Sequence, residues 1–334
     1  MTNLVAKLPD VTDAQRARIL TAPKTLEAHA ALLREIPAMT SLQVGGTGST
    51  PQLPHVVNVA AWNVERCLFP KESAEMLRPH RPHVVLLSEM DSGMARTAQR
   101  DTTADVAGAL GMHYAYGVEF YEMDLGGAAE RVFCRDDFNA HGWHGNAILS
   151  SARFEALALI RLDRTGHWFA ETGAGDPKQP RIGGRMAVAG IIPGISGSMC
   201  FVSTHLESNA DAAHRHLEFD RLLTELEAFC GDMPILIGGD LNTGNHMPPD
   251  YNWQDETLFD LARHRGFGWS LTPDGTTTRP SRITPHPIRE RKLDWFCHRG
   301  MHGEVGVILP ALAPDKSPLS DHECIFAQVT AAKD

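Results

Sequence analysis

Short apolar runs of strand length recur along this chain, and most of them stop at an acid, an amide or an imidazole. "HVVNVAAWNV" (55–64) reaches Asn63, "VVLLSE" (84–89) reaches Glu89 and "HYAYGVEF" (113–120) carries Glu119. "MCFVSTHL" (199–206) carries His205, and "PILIGGDLN" (234–242) delivers Asp240 and Asn242 beyond paired glycines. Runs of four to eight apolar or β-branched residues bounded by turn formers read as strands. Further runs of this kind are "GNAILS" (145–150), "MAVAGIIP" (186–193), "KLDWFCH" (292–298), "GEVGVIL" (303–309) and "ECIFAQV" (323–329). Helical spacing intervenes near 72–80, 94–110, 212–230 and 255–265. Polar groups at strand ends are held by a rigid scaffold, which is what a catalytic cleft needs. In "GGDLN" the same residues also suit an ordinary chain reversal. A carboxylate and an amide two residues apart on an extended segment would point the same way.

Composition narrows the possibilities. Of 334 residues, 43% are hydrophobic and 22% charged, as expected of a globular protein with a large core. The apolar runs are too short for a membrane span, and "MTNLVAKLPDVTDAQRARIL" lacks the apolar stretch of a signal peptide. The six cysteines include no CxxC pair, which suits free thiols in a reducing compartment and makes the cytoplasm the expected location. A formal charge of −10 disfavours a protein that grips the phosphate backbone of nucleic acid without regard to sequence.

Six motifs follow one another in order: "WN" at 62–63, "SEMD" at 88–91, "THLES" at 204–208, "GGDLN" at 238–242, "KLD" at 292–294 and "SDH" at 320–322. In this the chain resembles the endonuclease/exonuclease/phosphatase superfamily, in the branches of deoxyribonuclease, sphingomyelinase and 5-phosphatase type that carry two active-site histidines. The resemblance runs from about residue 55 to 330. It implies an α/β fold, a four-layer sandwich of two mixed β-sheets flanked by helices. It also implies a catalytic domain over residues 55–334, preceded by a helical extension and linker over 1–54. Helical spacing at 11–37, broken near Pro23, and the Gly/Pro-rich connector 45–54 suit that extension.

The resemblance further implies metal-dependent hydrolysis of a phosphate ester by in-line attack of water. Magnesium, or manganese in its place, would be held by Glu89 and Asn63, with Asp321 as an additional carboxylate. Hard oxygen ligands and a few retained waters are what magnesium takes. Asp240 would orient or deprotonate the water, and the Asn242 amide would donate to the phosphoryl oxygens. His322, oriented and charged by Asp294, would donate to the phosphoryl oxygen or help activate the water. His205, with Glu119 as its orienting carboxylate, would protonate the leaving group. A small or lipid-like phosphodiester is the expected substrate; a nuclease and a non-catalytic binding scaffold are the other readings.

Several residues lie outside these motifs. Trp143 takes the place of an active-site tyrosine of the abasic-site branch, and His144 and Asn146 are candidates for substrate contact. Arg96, Arg100 and Asp101 would either line the cleft beyond Glu89 or, the better reading, form a solvated helix face. Arg279, Arg282, Arg289, Arg291 and Lys292 form a basic loop that would either attract an anion or merely be solvated. Among the 17 histidines no pair has zinc-ligand spacing, since "HRH" (214–216) falls in a helical pattern.

Overall fold

A computed structural model of the protein describes residues 2–171, 173, 175, 179–244, 252–285 and 290–331. The chain opens with β1 (Asn3–Val5), α1 (Asp13–Thr21), α2 (Leu26–Glu35), β2 (Ser41–Gly46) and β3 (Val57–Arg66). It continues through α3 (Pro70–Leu77), β4 (Val84–Ser92), α4 (Thr102–Leu110), β5 (His113–Glu122), α5 (Ala128–Arg131) and β6 (Trp143–Ser150). Next come β7 (Ala156–Arg161), β8 (Arg181–Gly183), β9 (Met186–Ile192), β10 (Met199–His205), α6 (Ala212–Cys230) and β11 (Ile235–Asp240). The last elements are α7 (Leu258–His264), β12 (Asp294–Arg299), β13 (Met301–Gly303), β14 (Val307–Leu309) and β15 (Cys324–Ala331).

Among the described residues, ten strands form one sheet, ordered β1-β2-β5-β6-β4-β3-β15-β13, with β8 beside β5 and β14 beside β15. Five form the second, ordered β12-β11-β10-β9-β7. Both are mixed: β3 and β4 run parallel in the first, β10 and β11 in the second, amid antiparallel neighbours. The strand period of two sorts the side chains into layers. In β3, Val57, Val59 and Ala61 enter the core between the sheets, whereas Ala60, Trp62 and Val64 face the helices α1 to α4. In the second sheet Phe201 and Leu236 point inward, while Val202, Ile235 and Ile237 pack under α6 and α7. Both faces of the central strands are buried, which is why they read as unbroken apolar runs. The result is the four-layer α/β sandwich.

The N-terminal segment carries more than helices. β2 pairs antiparallel with β5, Leu42 opposite Gly117, and β1 pairs parallel with β2. These strands are too short and too glycine-flanked to stand out in the sequence, and they form because an edge of the sheet is there to receive them. Ile19 of α1 and Leu32 of α2 pack in the same cluster as Trp62, on the flank of the first sheet. The pattern at 94–110 yields a 3-10 turn at Ala95–Thr97 and an α-helix only from Thr102, where Asp101 caps it, accepting from the Ala104 amide at 3.0 Å. All six cysteines are free and five are buried. Among the described residues no helix is long and apolar enough to cross a membrane.

The paired glycines of "GGD" permit the two sheets to meet at the site. A Cβ on Gly238 would stand 2.8 Å from Leu86 Cδ1 and 2.9 Å from Ala61 Cβ of the facing sheet. A Cβ on Gly239 would stand 1.9 Å from the backbone oxygen of Thr204 in the adjacent strand, which cannot retreat without breaking the ladder. Gly239→Ala is therefore expected to lower the unfolding free energy by about 3 kcal/mol, the upper range for overpacking. Gly108→Ala, in α4 where nothing lies within 4 Å, should raise it by up to about 1 kcal/mol. Urea denaturation of both variants checks the opposite signs.

Candidate active site

Topology brings the predicted residues to one edge of the sandwich. Parallel pairing of β10 with β11 sets His205 opposite Asp240, and antiparallel pairing of β11 with β12 sets Asp240 opposite Asp294. On the facing sheet, parallel β3 and β4 end together at Asn63 and Glu89, each with an irregular register at that point. Glu65, Arg66 and Glu89 take left-handed backbone angles (φ 44°, 71° and 61°), as does Asn242 (φ 49°). Strained non-glycine backbone of this kind gathers where a side chain must be aimed against local preference.

One amide ties the two sheets. The Asn63 Nδ2 lies 3.1 Å from Glu89 Oε1 and 3.1 Å from Asp240 Oδ2. Asp240 Oδ2 also faces His322 Nε2 at 3.4 Å and His205 Nε2 at 3.6 Å. The other ring nitrogen of His322 meets Asp294 Oδ2 at 2.8 Å. Burial opposes charge on His322, but Asp294 and Asp240 outweigh it and hold the imidazole well above its usual pKa. The loop carrying His322 is pinned to β3: Ser320 Oγ donates to the Asn63 carbonyl at 2.6 Å, and Trp62 Nε1 donates to the His322 carbonyl at 2.9 Å.

One expectation needs correction here. The segment after Asp240 is not extended, since the strand ends there and Asn242 is left-handed. The Asn242 backbone N–H donates to Asp240 Oδ1 at 2.8 Å and its Nδ2 donates to the Leu206 carbonyl at 3.0 Å. The amide thus braces the aspartate and the end of β10 rather than running alongside the carboxylate. Glu119 lies beside His205, its Oε2 3.6 Å from Nδ1, but its other oxygen takes a guanidinium N–H of Arg185. Arg185 Nη1 itself stands 2.9 Å from His205 Nδ1. Burial and Arg185 push the His205 pKa down, Glu119 and Asp240 push it up, and the upward shift prevails.

The acids beside Asn63 are crowded. Arg66 is ion-paired with Glu89 and, despite the penalty of burial, keeps it below the usual carboxylate range. Glu65 receives Ser281 Oγ at 2.6 Å and Thr284 Oγ1 at 2.9 Å, yet burial and the nearby Asp321 push it up to about 8. Burial, reinforced by Glu89 and opposed by His322, raises Asp321 to about 6. An excess of buried carboxylate over cation is what a hard divalent ion would balance, so Glu65, Glu89, Asp321 and the Asn63 amide fit such an ion chemically. Among the described residues, the group of three acids or histidines whose ligand-type atoms lie within 4.8 Å of one another is Asp240, Asp294 and His322.

Around this centre runs a circuit of buried charge. From Glu89 it passes to Arg66, to Glu130 at 2.9 Å, to Arg96 at 2.9 Å and to Glu122 at 2.9 Å. Glu122 Oε1 faces Arg181 at 3.5 Å, and the Arg181 guanidinium stacks on Trp168, 4.4 Å from the ring centroid. Trp168 Nε1 donates to Glu207 Oε2 at 2.8 Å, which meets Arg185 Nε at 3.1 Å, and Arg185 returns the path to His205. Arg96 is therefore buried, not on a solvated face, because Asp91, Glu122 and Glu130 surround it; Arg100 is exposed as expected. His144 joins the circuit through Asp91 at 2.9 Å. Trp143 is core, packed on Tyr121 with ring centroids 5.2 Å apart, and Asn146 donates to the Met186 carbonyl at 2.9 Å. In the basic loop, Arg279 pairs with Glu323 at 3.1 Å, Lys292 with Asp274 at 3.3 Å, and Arg282 lies over Phe69; Arg289 lies outside the described residues. Sequence reasoning missed Glu65 and Arg66, although their adjacency in "WNVER" was a signal. Arg185, Glu207 and Glu130 carried none, since each meets its partners only through tertiary pairing.

An α/β sandwich with acids, an amide and carboxylate-held imidazoles at its strand ends is the frame of a phosphoester hydrolase. The model of the Endonuclease/Exonuclease/phosphatase family matches residues 60–322, and the chain belongs to that family, whose members hydrolyse phosphoester bonds. The fold is similar to the endonuclease/exonuclease/phosphatase from Beutenbergia cavernae (18% identity, 83% of this chain and 72% of that one, TM-score 0.60). It is similar to the family protein from Bacteroides vulgatus (14% identity, 83% and 99%, TM-score 0.56). The human Nocturnin catalytic domain, solved with a bound sulfate anion, is also similar (16% identity, 84% and 96%, TM-score 0.53). Comparison with curated protein sequences finds no significant match.

Binding of a divalent ion to the crowded acids should appear as stabilisation. Saturating Mg²⁺ is expected to raise the melting temperature by about 3 °C or more. The rise should disappear in Glu89→Gln and shrink in Asp321→Asn, as followed by differential scanning calorimetry.

Proposed function

We propose that the protein is a magnesium-dependent phosphodiesterase that hydrolyses a small or lipid-like phosphodiester by in-line attack of water. The observation that carries this reading is the convergence on Asp240 Oδ2 of the Asn63 amide, His205 and His322, drawn from both sheets. Glu89, Asn63, Asp321 and Glu65 would hold the cation. When bound, it supplies positive charge to the phosphoryl oxygens.

The remaining steps belong to the side chains. Asp240, oriented by the Asn242 N–H, orients and deprotonates the attacking water. His322, kept protonated by Asp294, donates to a phosphoryl oxygen, where negative charge grows in the transition state. His205 delivers a proton to the departing oxygen, and its raised pKa supports that role. Glu119 acts on His205 through charge and through Arg185. The negative formal charge favours a small or lipid-like diester over duplex nucleic acid. The family's nuclease members keep an oligonucleotide substrate as the second reading.

The test is release of p-nitrophenol from bis(p-nitrophenyl) phosphate and from p-nitrophenyl phosphate, with EDTA, Mg²⁺ or Mn²⁺. Turnover of the diester is expected to require the cation and to exceed that of the monoester. Asp240→Asn should lower kcat by about 10³-fold. His205→Ala should cost little with p-nitrophenol, a good leaving group, and on the order of 10²-fold with an alkyl leaving group. Preference for the monoester would make the protein a phosphatase. Cleavage confined to mixed oligonucleotides would make it a nuclease, and metal binding without turnover of any ester would leave a scaffold.

A further inference from the structure

Four arginines stand in the charge circuit, and three of them are well supplied with carboxylates. Arg66 meets Glu89 and Glu130, Arg96 meets Asp91, Glu122 and Glu130, and Arg185 meets Glu119 and Glu207. Arg181 is different. Among the described residues its ion pair is with Glu122 alone, at 3.5 Å. Glu122 Oε2 is already ion-paired with Arg96 at 2.9 Å and accepts from Gln179 at 2.8 Å. The Arg181 Nε is buried without a hydrogen-bond partner, although the side chain as a whole keeps 15% exposure. Burial therefore pulls this guanidinium below its ordinary pKa, and Glu122 offsets that only in part. The other three are held above theirs.

Its guanidinium is placed by two aromatic rings, over Trp168 at 4.4 Å and over Phe120 at 5.2 Å from the ring centroids. Stacking orients a guanidinium without consuming its in-plane N–H donors. Arg185, which touches His205, lies against the same Phe120 at 5.7 Å. Arg181 and Arg185 thus share one ring, and Arg185 touches His205, the residue on the leaving-group side under the proposed mechanism.

We infer that Arg181, stacked on Trp168, forms an anion subsite for a second phosphate carried by the substrate's leaving group, an inference that rests on the phosphodiesterase reading. A guanidinium short of counter-charge, with its fork of donors held in one plane, matches phosphate oxygens bidentately. The substrate class is then a phosphodiester whose leaving group is itself phosphorylated, on either a nucleoside or a polyol.

Steady-state kinetics with Mg²⁺ separate these sources. The nucleoside arm compares the thymidine dinucleotide TpT with TpTp and pTpT; the polyol arm compares glycerophosphoinositol with its 4-phosphate. In the wild type the extra phosphate is expected to raise kcat/KM in one arm on the order of ten- to a hundredfold, mostly through KM. In Arg181→Met the ratio should collapse toward one. Arg181→Lys, which keeps the charge and loses the fork, should give an intermediate ratio and decides the matter if the Met variant fails to fold. A wild-type ratio near one in both arms, or a ratio unchanged in the variants, overturns the subsite. If none of these diesters is cleaved, it is the phosphodiesterase reading that fails. Calorimetric titration of TpTp and TpT then decides the subsite separately: tighter binding of TpTp by the wild type alone supports it, and equal Kd values overturn it.

Discussion

The contact of the Asn63 side chain with Glu89 on one side and Asp240 on the other joins the ends of the two sheets. It requires the sheets to approach closely, which Gly238 permits by offering no Cβ to Leu86 and Ala61. The same strand end organises the loop before β15: the Asn63 carbonyl accepts from Ser320, and the indole of its neighbour Trp62 donates to the His322 carbonyl. Residues 62 and 63 therefore set where His322 stands relative to Asp240. Displacing β3 would disturb the acid, the amide and the imidazole together.

Burying this many charges is costly unless each finds a partner. The protein meets that cost by alternation, with acids and arginines following one another from Glu89 round to Arg185. Two places break the balance in opposite directions. Near Asn63 the carboxylates of Glu65 and Asp321 are in excess, and both are raised above their ordinary values. Near Trp168 the Arg181 guanidinium is in excess. A cation suits the first place and an anion the second.

Much of the scaffold was legible because the central strands are buried on both faces. Runs such as "VVLLSE" and "ILIGGD" can be nothing else once their neighbours alternate with helices. Asn63, Glu89, His205 and Asp240 stood out for the complementary reason: a polar residue that ends an apolar run is displayed at the rim. Arg96 misled, because its local sequence is that of a polar helix start and only Asp91, Glu122 and Glu130 make a burial site of it. Trp143 misled because a position in a motif does not say which face of the strand it takes, and here it takes the one packed on Tyr121.

What the sequence by itself determined was the series of strands, the residues waiting at their ends, and through the order of six motifs the family and layer architecture. Local patterning carries that much, since strand period and turn chemistry act over a few residues. Tertiary structure alone decided which of those ends share a hydrogen bond, that Arg185 stands between Glu119 and His205, and that Asn242 braces a backbone carbonyl. It also decided that Arg181, among the described residues, is ion-paired with Glu122 alone. Such contacts join residues tens to hundreds of positions apart, and their strength depends on burial and mutual distance, which no local pattern encodes.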